Sequence, residues 1–331
     1  MDDWMARGAL KAVPRERLRG LSVRSDARGW IQTGSHLGAL ALTTAGLLLA
    51  RLAPIGAHPG PLLSHPVRVA ALVLLFLAQG VLLNCLYAGQ HELSHWTVFR
   101  TKWLNDRFGE LFGFLTLNPF HTDRWAHFAH HRATQDPQRD SELIGMKPFT
   151  TLSYVINLIG VDFWRRRILS ILRTAAGRGL EADYWLTPEQ ARFVVREARG
   201  TVALWLVILG GSIAARSGLA ALLWIGPLLA TKVFHQLQNT GEHTGMPNDP
   251  DIFVNTRTLT GPAPIRWLMW NMSWHTAHHA FPGVPFHALP ALHAAIREGL
   301  GRPVIERGYI EAQREIFAWL KGEDARRRAA A

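Results

Sequence analysis

Three short strings of histidines are the residues in this chain best suited to do chemistry. The first string, HELSH, covers residues 91–95, and two strings of the form H-x-x-H-H cover residues 127–131 and 275–279. Residues three and four positions apart lie on the same face of a helix, so each string presents two or three imidazole rings in one direction. Neutral imidazole is a common metal ligand. The three strings therefore predict a metal site built from helices.

The number of histidines indicates two metal ions. One tetrahedral zinc ion takes four ligands, so the histidines of the strings exceed what one such ion needs. Imidazole suits iron, copper, zinc and nickel alike, so the ligands alone do not select the metal. The histidines of the strings are His91, His95, His127, His130, His131, His275, His278 and His279.

A further group of polar residues stands at helical spacing between the second and third strings. His235, Asn239 and His243 follow one another at intervals of four, so they share one helix face if the helix stays regular through Gly241. We expect His243 to be a further nitrogen ligand and Asn239 to hold a metal-bound water. His235 is a candidate to orient a ligand. Polar capping of a helix end is the alternative interpretation.

The first string also matches the H-E-x-x-H motif of zinc metalloproteases, in which the glutamate, here Glu92, is the general base. An intramembrane protease of this kind needs a third ligand and usually an Asp-Gly motif on another span. The sequence contains no Asp-Gly, and the protease hypothesis leaves both H-x-x-H-H strings unexplained. A non-catalytic metal carrier is the other alternative, and it would place its ligands along a path inside the spans.

Apolar runs separated by basic segments must position these strings. The net charge is +11, yet Arg51 and Arg68 are the only Lys or Arg between Gly34 and Gln90. This distribution is typical of a membrane protein and puts the basic segments, with the strings, on the cytoplasmic side. We therefore expect no nucleic-acid partner. The single cysteine, Cys85, excludes an internal disulfide.

The apolar runs predict about four transmembrane helices arranged as two hairpins. The predicted spans are residues 34–53, 67–89, 200–215 and 218–237. The alternative interpretation of the second hairpin is a helical hairpin buried in the core of a soluble protein. Residues 1–33 are basic and suit a cytoplasmic or interfacial segment, and residues 291–331 suit a cytoplasmic tail.

Taken in order, the motifs resemble the membrane fatty acid desaturase and hydroxylase superfamily. H-x-x-x-H follows the second span, H-x-x-H-H comes next, and N-x-x-x-H and a last H-x-x-H-H follow the second hairpin. The resemblance covers about residues 35–290. The flanks HFAHHRATQDPQRD, EHTGMPNDPD and HTAHHAFPGVPFHALPALH look most like bacterial proteins related to the rhizobitoxine desaturase.

This resemblance implies an all-α membrane protein with a cytoplasmic helical cap that holds a His-rich dimetal site, in a membrane domain at residues 34–290. The metals would be two iron ions in a non-haem di-iron centre that uses O₂ to remove hydrogen from an unactivated C–H bond of a fatty-acyl chain. Electrons would come from a separate donor of the ferredoxin or cytochrome type, and a basic cytoplasmic face would suit an acidic one. Carried over onto this sequence, Asn239 would hold a metal-bound water, and the ligands would be His91, His95, His127, His130, His131, His243, His275, His278 and His279.

Several alternatives stay open within this enzyme class. Desaturation, hydroxylation and oxidative decarboxylation to a terminal alkene share the same metal scaffold, and the substrate is a free fatty acid, a thioester, a phospholipid acyl chain or another long apolar molecule. Candidates to orient ligand imidazoles, with helix capping or surface ion pairs as the alternative, are Glu92, Asp136, Asp140 and Glu242.

Aromatic residues near the motifs are candidates to line an acyl tunnel, with interfacial anchoring or ordinary packing as the alternative. These are Trp96, Phe114, Trp125, Phe128, Trp267, Trp270 and Trp274. The histidines outside any motif are expected at surfaces or interfaces: His36, His58, His65, His121, His287 and His293.

Overall fold

The computed structural model describes residues 12–52, 65–144, 149–180 and 185–329. His58, the proline-rich loop around it and the side chain of His65 lie outside the described residues, as does the start of the basic N-terminal segment. Within the described ranges the chain is mostly helical.

Fifteen α-helices follow one another along the described parts of the chain. They are α1 (Arg15–Leu21), α2 (Asp26–Leu52), α3 (His65–Ser94), α4 (Lys102–Leu115), α5 (Phe120–Ala133), α6 (Thr151–Leu158), α7 (Val161–Ala175), α8 (Pro188–Ala214), α9 (Gly226–Ala230), α10 (Lys232–His243), α11 (Ile252–Asn255), α12 (Ala263–Leu268), α13 (His275–Ala280), α14 (Leu289–Gly299) and α15 (Tyr309–Ala329). A π-helical turn (Ala221–Ile225) precedes α9, and a 3₁₀ turn (Phe286–Ala288) precedes α14.

Two of the described helices, α2 and α3, are long and apolar enough to cross a membrane, over Asp26–Arg51 and Pro66–Ser94. With 30 residues, α3 is about 45 Å long, whereas the hydrocarbon core of a bilayer is about 30 Å thick. The last turns of α3 are therefore free to extend beyond a membrane and carry His91 there. Large apolar side chains such as Leu42, Leu49 and Leu74 point outward from these two helices.

The second predicted hairpin has a long first arm and a broken second arm. In the second half of α8, Leu206, Val207 and Ile213 are more than 60% exposed. The other arm consists of the π-helical turn, α9 and α10, with a break at Thr231, where φ is −112°. Gly80 of α3 lets this arm approach closely, because a Cβ at residue 80 would lie 2.2 Å from the carbonyl oxygen of Pro227.

The C-terminal residues form structure that packs on the rest of the chain. Strand β1 (Thr258–Thr260) pairs in parallel with β2 (Glu306–Gly308), with Thr258 opposite Glu306. From α15, Gln313 donates to the carbonyl oxygen of Leu237 at 3.3 Å, and its own Oε1 accepts from the Tyr154 hydroxyl at 2.6 Å. These contacts join α15 to α10 and α6.

The prediction of a surface or interface position is wrong for His36 and His293, which are 0% and 4% exposed. Each ring finds polar partners inside the fold, which removes the cost of burying it. The indole N–H of Trp270 donates to Nδ1 of His36 at 3.0 Å, and Nε2 of His36 lies 3.0 Å from the carbonyl oxygen of Leu82. Nε2 of His293 lies 3.1 Å from a carboxylate oxygen of Glu306.

Candidate metal centre

The histidines of the strings meet in two adjacent groups. In the first group the ligand nitrogens lie within 4.8 Å of one another and belong to His91, His95, His127, His131 and His278. The same criterion joins the members of the second group, His130, His243 and His279. His275 adjoins the second group, because its Nε2 lies 3.0 Å from Nε2 of both His243 and His279.

Each H-x-x-H-H string contributes to both groups. In α5, His127 and His131 turn to the first group and His130 turns to the second. In α13 the assignment is reversed, with His278 in the first group and His275 and His279 in or beside the second. Positions i+3 and i+4 lie about 100° apart around a helix axis, which is enough to direct neighbouring rings to different centres. The expectation that each string presents its rings in one direction is therefore corrected.

The distances between ring nitrogens fit metal ligation. In the first group the Nε2 atoms of His95 and His127 are 2.8 Å apart, and those of His91 and His278 are 2.9 Å apart. Nitrogens about 2.1 Å from one ion are ~3.0 Å apart at a right angle and ~3.4 Å apart at a tetrahedral angle. Imidazole nitrogens that converge in this way, away from solvent, can bind one cation between them, so each group has the chemistry and the geometry to hold one ion.

Burial sets the charge of most of these rings. It lowers the pKa of His243 to about 3 and lowers the pKa of five other ligands outside the membrane spans well below the ordinary value of 6.5. A neutral ring offers its nitrogen lone pair to a metal, so the rings are ready to bind at neutral pH. The others are His95, His127, His131, His275 and His279.

His130 differs from its neighbours because carboxylates stand beside it. Burial acts to lower its pKa, but the negative charges of Glu142 and Asp140 outweigh burial and raise the pKa of His130 to about 9. Nδ1 of His130 lies 2.9 Å from Oδ1 of Asp140. This contact leaves Nε2 of the ring to face the second group.

Two further predicted carboxylates contact the outer nitrogen of a ligand ring. Oε1 of Glu92 lies 3.3 Å from Nδ1 of His278, and Oε1 of Glu242 lies 3.3 Å from Nδ1 of His275. Such partners hold an imidazole in one tautomer and orientation. Asp136 contacts no histidine in the described structure, since its carboxylate accepts from the backbone N–H of Gln138 and from the Arg139 side chain.

Two orienting groups were missed by the sequence reasoning. Nδ1 of His243 lies 3.2 Å from the carbonyl oxygen of Asn255, and Nδ1 of His279 lies 3.2 Å from the hydroxyl of Thr134. A backbone carbonyl leaves no trace in a sequence. Thr134 had a usable signal, because it stands four residues after His130 and so extends the same helical face.

Asn239 lines a small cavity beside the second group. The cavity has a volume of about 30 Å³, and His91, His130, His243 and His275 also line it. A volume of this size holds one or two water molecules. His235 also reaches this cavity, but its Nδ1 lies 3.2 Å from Nζ of Lys232 and its ring packs 4.9 Å from the ring of Tyr87.

A second, larger cavity of about 450 Å³ opens beside the first. We call it the basic cavity, because Arg166, Arg167 and Lys232 are among its lining residues. Six residues line both cavities, so the basic cavity leads directly to the histidine groups. They are Tyr87, His127, Glu142, His235, Asn239 and His243.

None of the predicted tunnel aromatics lines either cavity in the described structure. The ring of Phe128 lies 5.4 Å from that of His95. Trp270 is fully buried in the core. The apolar side chains that do line the small cavity include Met269 and Met272, which the sequence reasoning did not single out.

Comparison with known proteins identifies the family. The model of the fatty acid desaturase family matches residues 66–309, well over half of the chain. The chain therefore belongs to this family. It is also similar to the omega-6 fatty acid desaturase of the endoplasmic reticulum from Brassica juncea, at 32% identity over 87 residues. That match covers 26% of this chain and 23% of the relative.

Proposed function

We propose that this protein is an O₂-dependent, non-haem di-iron desaturase that acts on a fatty-acyl chain. The observation that carries the proposal is the division of nine histidines into two adjacent groups with converging ring nitrogens. When bound, the two iron ions would supply the oxidising power needed to break an unactivated C–H bond. The overall reaction converts –CH₂–CH₂–, O₂, two electrons and two protons into –CH=CH– and two water molecules.

The residues of this chain would hold and shield the metal ions. His91, His95, His127, His131 and His278 would hold one ion, and His130, His243, His275 and His279 would hold the other. Asn239 faces the small cavity and would fix a water at the second ion. Glu92, Asp140 and Glu242 would orient His278, His130 and His275 through the contacts at Nδ1.

Glu92 does not have the position that a metalloprotease requires of it. It is 0% exposed, and its Oε1 lies behind His278, at the nitrogen that faces away from the histidine group. A general base must reach a water on the metal side of the ligands. This supports the oxidoreductase over the protease.

We also propose the full topology of four spans with the termini and the metal centre on the cytoplasmic side. The spans are residues 34–53, 67–89, 200–215 and 218–237, within a domain at 34–290 flanked by the basic segment 1–33 and the cytoplasmic segment 291–331. The outward-facing apolar side chains of the second half of α8 support the third span. The concentration of Lys and Arg outside the spans supports the orientation and suits an acidic electron donor.

Metal analysis tests the proposed centre. Protein purified in the presence of ferrous iron should carry about two iron ions per chain by plasma mass spectrometry. His278→Ala should lose iron and product formation, whereas His121→Gln should keep both, because His121 lies outside both groups and contacts Glu110. One zinc and no iron in the wild-type protein would overturn the proposal.

Lipid profiling of cells with and without the gene tests the reaction type. A product two mass units lighter than its substrate indicates desaturation. A product 16 mass units heavier would instead assign hydroxylation, and a terminal alkene one carbon shorter would assign oxidative decarboxylation.

Cysteine labelling tests the topology. In a Cys85→Ser background, Ser217→Cys should react with an impermeant maleimide added outside intact cells, and Arg326→Cys should react only after lysis. The reverse pattern would contradict the proposed orientation.

A further inference from the structure

Among the residues that the structure describes, two cations of the basic cavity have no carboxylate partner. Lys232 is 3% exposed, and its Nζ contacts Nδ1 of His235 at 3.2 Å and lies 3.9 Å from the centroid of the Phe163 ring. The Arg167 guanidinium donates to the side-chain oxygen of Asn118, and its Cζ lies 5.4 Å from the same Phe163 centroid. Among the described residues, no carboxylate oxygen lies within 4.0 Å of either cation.

Two acidic residues line the same cavity, and both serve other groups. A carboxylate oxygen of Glu142 lies 3.9 Å from Nδ1 of His130. Asp123 lines the same cavity, but its carboxylate accepts from the amide of Gln90 at 3.3 Å and from the hydroxyl of Tyr87 at 3.5 Å. Arg166, the third cation of the cavity, is already paired with Asp162 at 2.8 Å. Lys232 and Arg167 are therefore the cations of this cavity that have no carboxylate close by within the described parts of the chain.

A buried cation without an ion partner costs free energy, and a ligand anion would remove that cost. Two cations against one aromatic ring in a cavity of about 450 Å³ have the size and the charge of a small-molecule site. The cavity shares lining residues with the water-sized cavity beside the histidines. A molecule held there would extend toward the metal centre.

The distance between the cation and the histidines limits where oxidation can occur. Nζ of Lys232 lies 6.0 Å from the Tyr87 ring centroid, which lies 6.5 Å from that of His91. The ammonium is thus within about 13 Å of the His91 ring. An extended chain of a bound molecule covers ~1.2 Å per bond, so this distance corresponds to roughly ten bonds.

We infer that the basic cavity binds an anionic group of the substrate, a carboxylate or a phosphate, between Lys232 and Arg167, and that the oxidised C–H bond lies within about ten bonds of that group. This inference rests on the proposed function and specifies its substrate class. The substrate is a molecule with its own anion close to the reacting carbon, such as a free acid or a phosphate ester.

Ligand binding to the full-length protein in detergent tests the inference with ten-carbon probes below their micelle concentrations. Decanoate and decyl phosphate are the anionic probes, decanol is the neutral one and decyltrimethylammonium is the cationic one. At least one anionic probe should raise the thermal unfolding midpoint with a higher apparent affinity than decanol or the cationic probe. Whichever anion binds more tightly identifies the group. Equal binding of decanol or of the cation would overturn the inference.

Two substitutions and a matched control locate the site. Lys232→Met keeps the length of the side chain, and Arg167→Gln is a second and independent variant. Each should lower the affinity for the anionic probe about 10- to 100-fold. Arg165→Gln should leave the affinity unchanged, because Arg165 is on the same helix as Arg167 but points outward and pairs with Asp162. Lys232→Met should also be at least as stable as the wild type without a probe, since it removes an unpaired buried charge. Wild-type affinity in both cavity variants would refute the assignment.

Iron content measured on the same samples separates this inference from the proposed function. Iron should stay at the wild-type level in both cavity variants. If the wild-type protein holds no iron but binds the anionic probes through Lys232, the proposed function fails and the anion site stands. If iron and product formation are normal but the probes bind without regard to charge, the anion site fails alone.

Discussion

Glu92 is the residue for which the oxidoreductase and the protease hypotheses predict opposite results. Its Oε1 is 3.3 Å from Nδ1 of His278, and both side chains are 0% exposed, so the contact lies away from bulk solvent. Glu92→Ala removes the carboxylate that faces Nδ1 of His278. Losing such a partner lowers metal affinity about 10- to 100-fold, or ~1.4–2.7 kcal/mol.

Glu92→Gln isolates the contribution of the charge. Its amide oxygen can still accept from His278, and its amide nitrogen can donate to the hydroxyl of Thr97, which contacts the other carboxylate oxygen at 3.0 Å in the wild type. A hydrogen bond to a charged group is about twice as strong as a neutral one, a difference of ~1 kcal/mol. We therefore expect iron affinity to fall only about 5-fold.

The assay is the iron content per chain after equilibration with increasing concentrations of a ferrous chelator. The order of retention should be wild type, then Glu92→Gln, then Glu92→Ala. Glu110→Gln is the control, because Glu110 pairs with Arg107 near the surface. Wild-type retention by Glu92→Ala would refute the orienting role. Loss of all activity in Glu92→Gln with full metal content would instead return Glu92 to the role of a general base.

Three further predictions concern stability. Burial lowers the pKa of most cluster histidines in the folded protein below the unfolded value of 6.5. The unfolded chain therefore takes up protons first, and the thermal unfolding midpoint of chelator-treated protein should decrease as the pH is lowered from 7 to 5. His130 acts in the opposite sense. Its raised pKa contributes stability that is fully present below pH 6.5 and is lost as the pH rises through about 9. An unfolding midpoint that does not depend on pH would contradict both effects. Gly80→Ala should cost about 1–3 kcal/mol by overpacking, while Gly34→Ala, with open space around it, should not lower the midpoint in the same detergent. Asp324→Asn should speed hydrogen exchange at the start of α6, because Asp324 accepts from the backbone N–H of Thr151 at 3.0 Å. That bond lowers the pKa of Asp324, so the difference in exchange rate between variant and wild type should vanish well below pH 4. Equal exchange rates at neutral pH would exclude the contact.

Much of the helical framework was predictable because it depends on local patterns. The apolar runs predicted α2 and α3, which are both long enough to cross a membrane. The arm at 218–237 was predicted as one helix, whereas the structure breaks it at Thr231. A hydropathy pattern measures only how apolar a segment is, so it does not register a break that packing against α3 stabilises.

Contacts between distant segments account for the residues that sequence reasoning misplaced. His36 and His293 are buried because Trp270, Leu82 and Glu306 satisfy their rings across the fold. Asn255 acts through its backbone carbonyl, which any residue type supplies.

The sequence by itself determined the fatty acid desaturase family, the membrane association and the identity of the clustered histidines, because helical spacing and hydropathy are local properties. Only the tertiary structure decided which group each ring joins, that Asp140 rather than Asp136 contacts His130, and that Lys232 and Arg167 face one cavity. The physical reason is that a helix sets the angle between its own side chains, whereas the point where they meet those of another helix depends on how the helices pack.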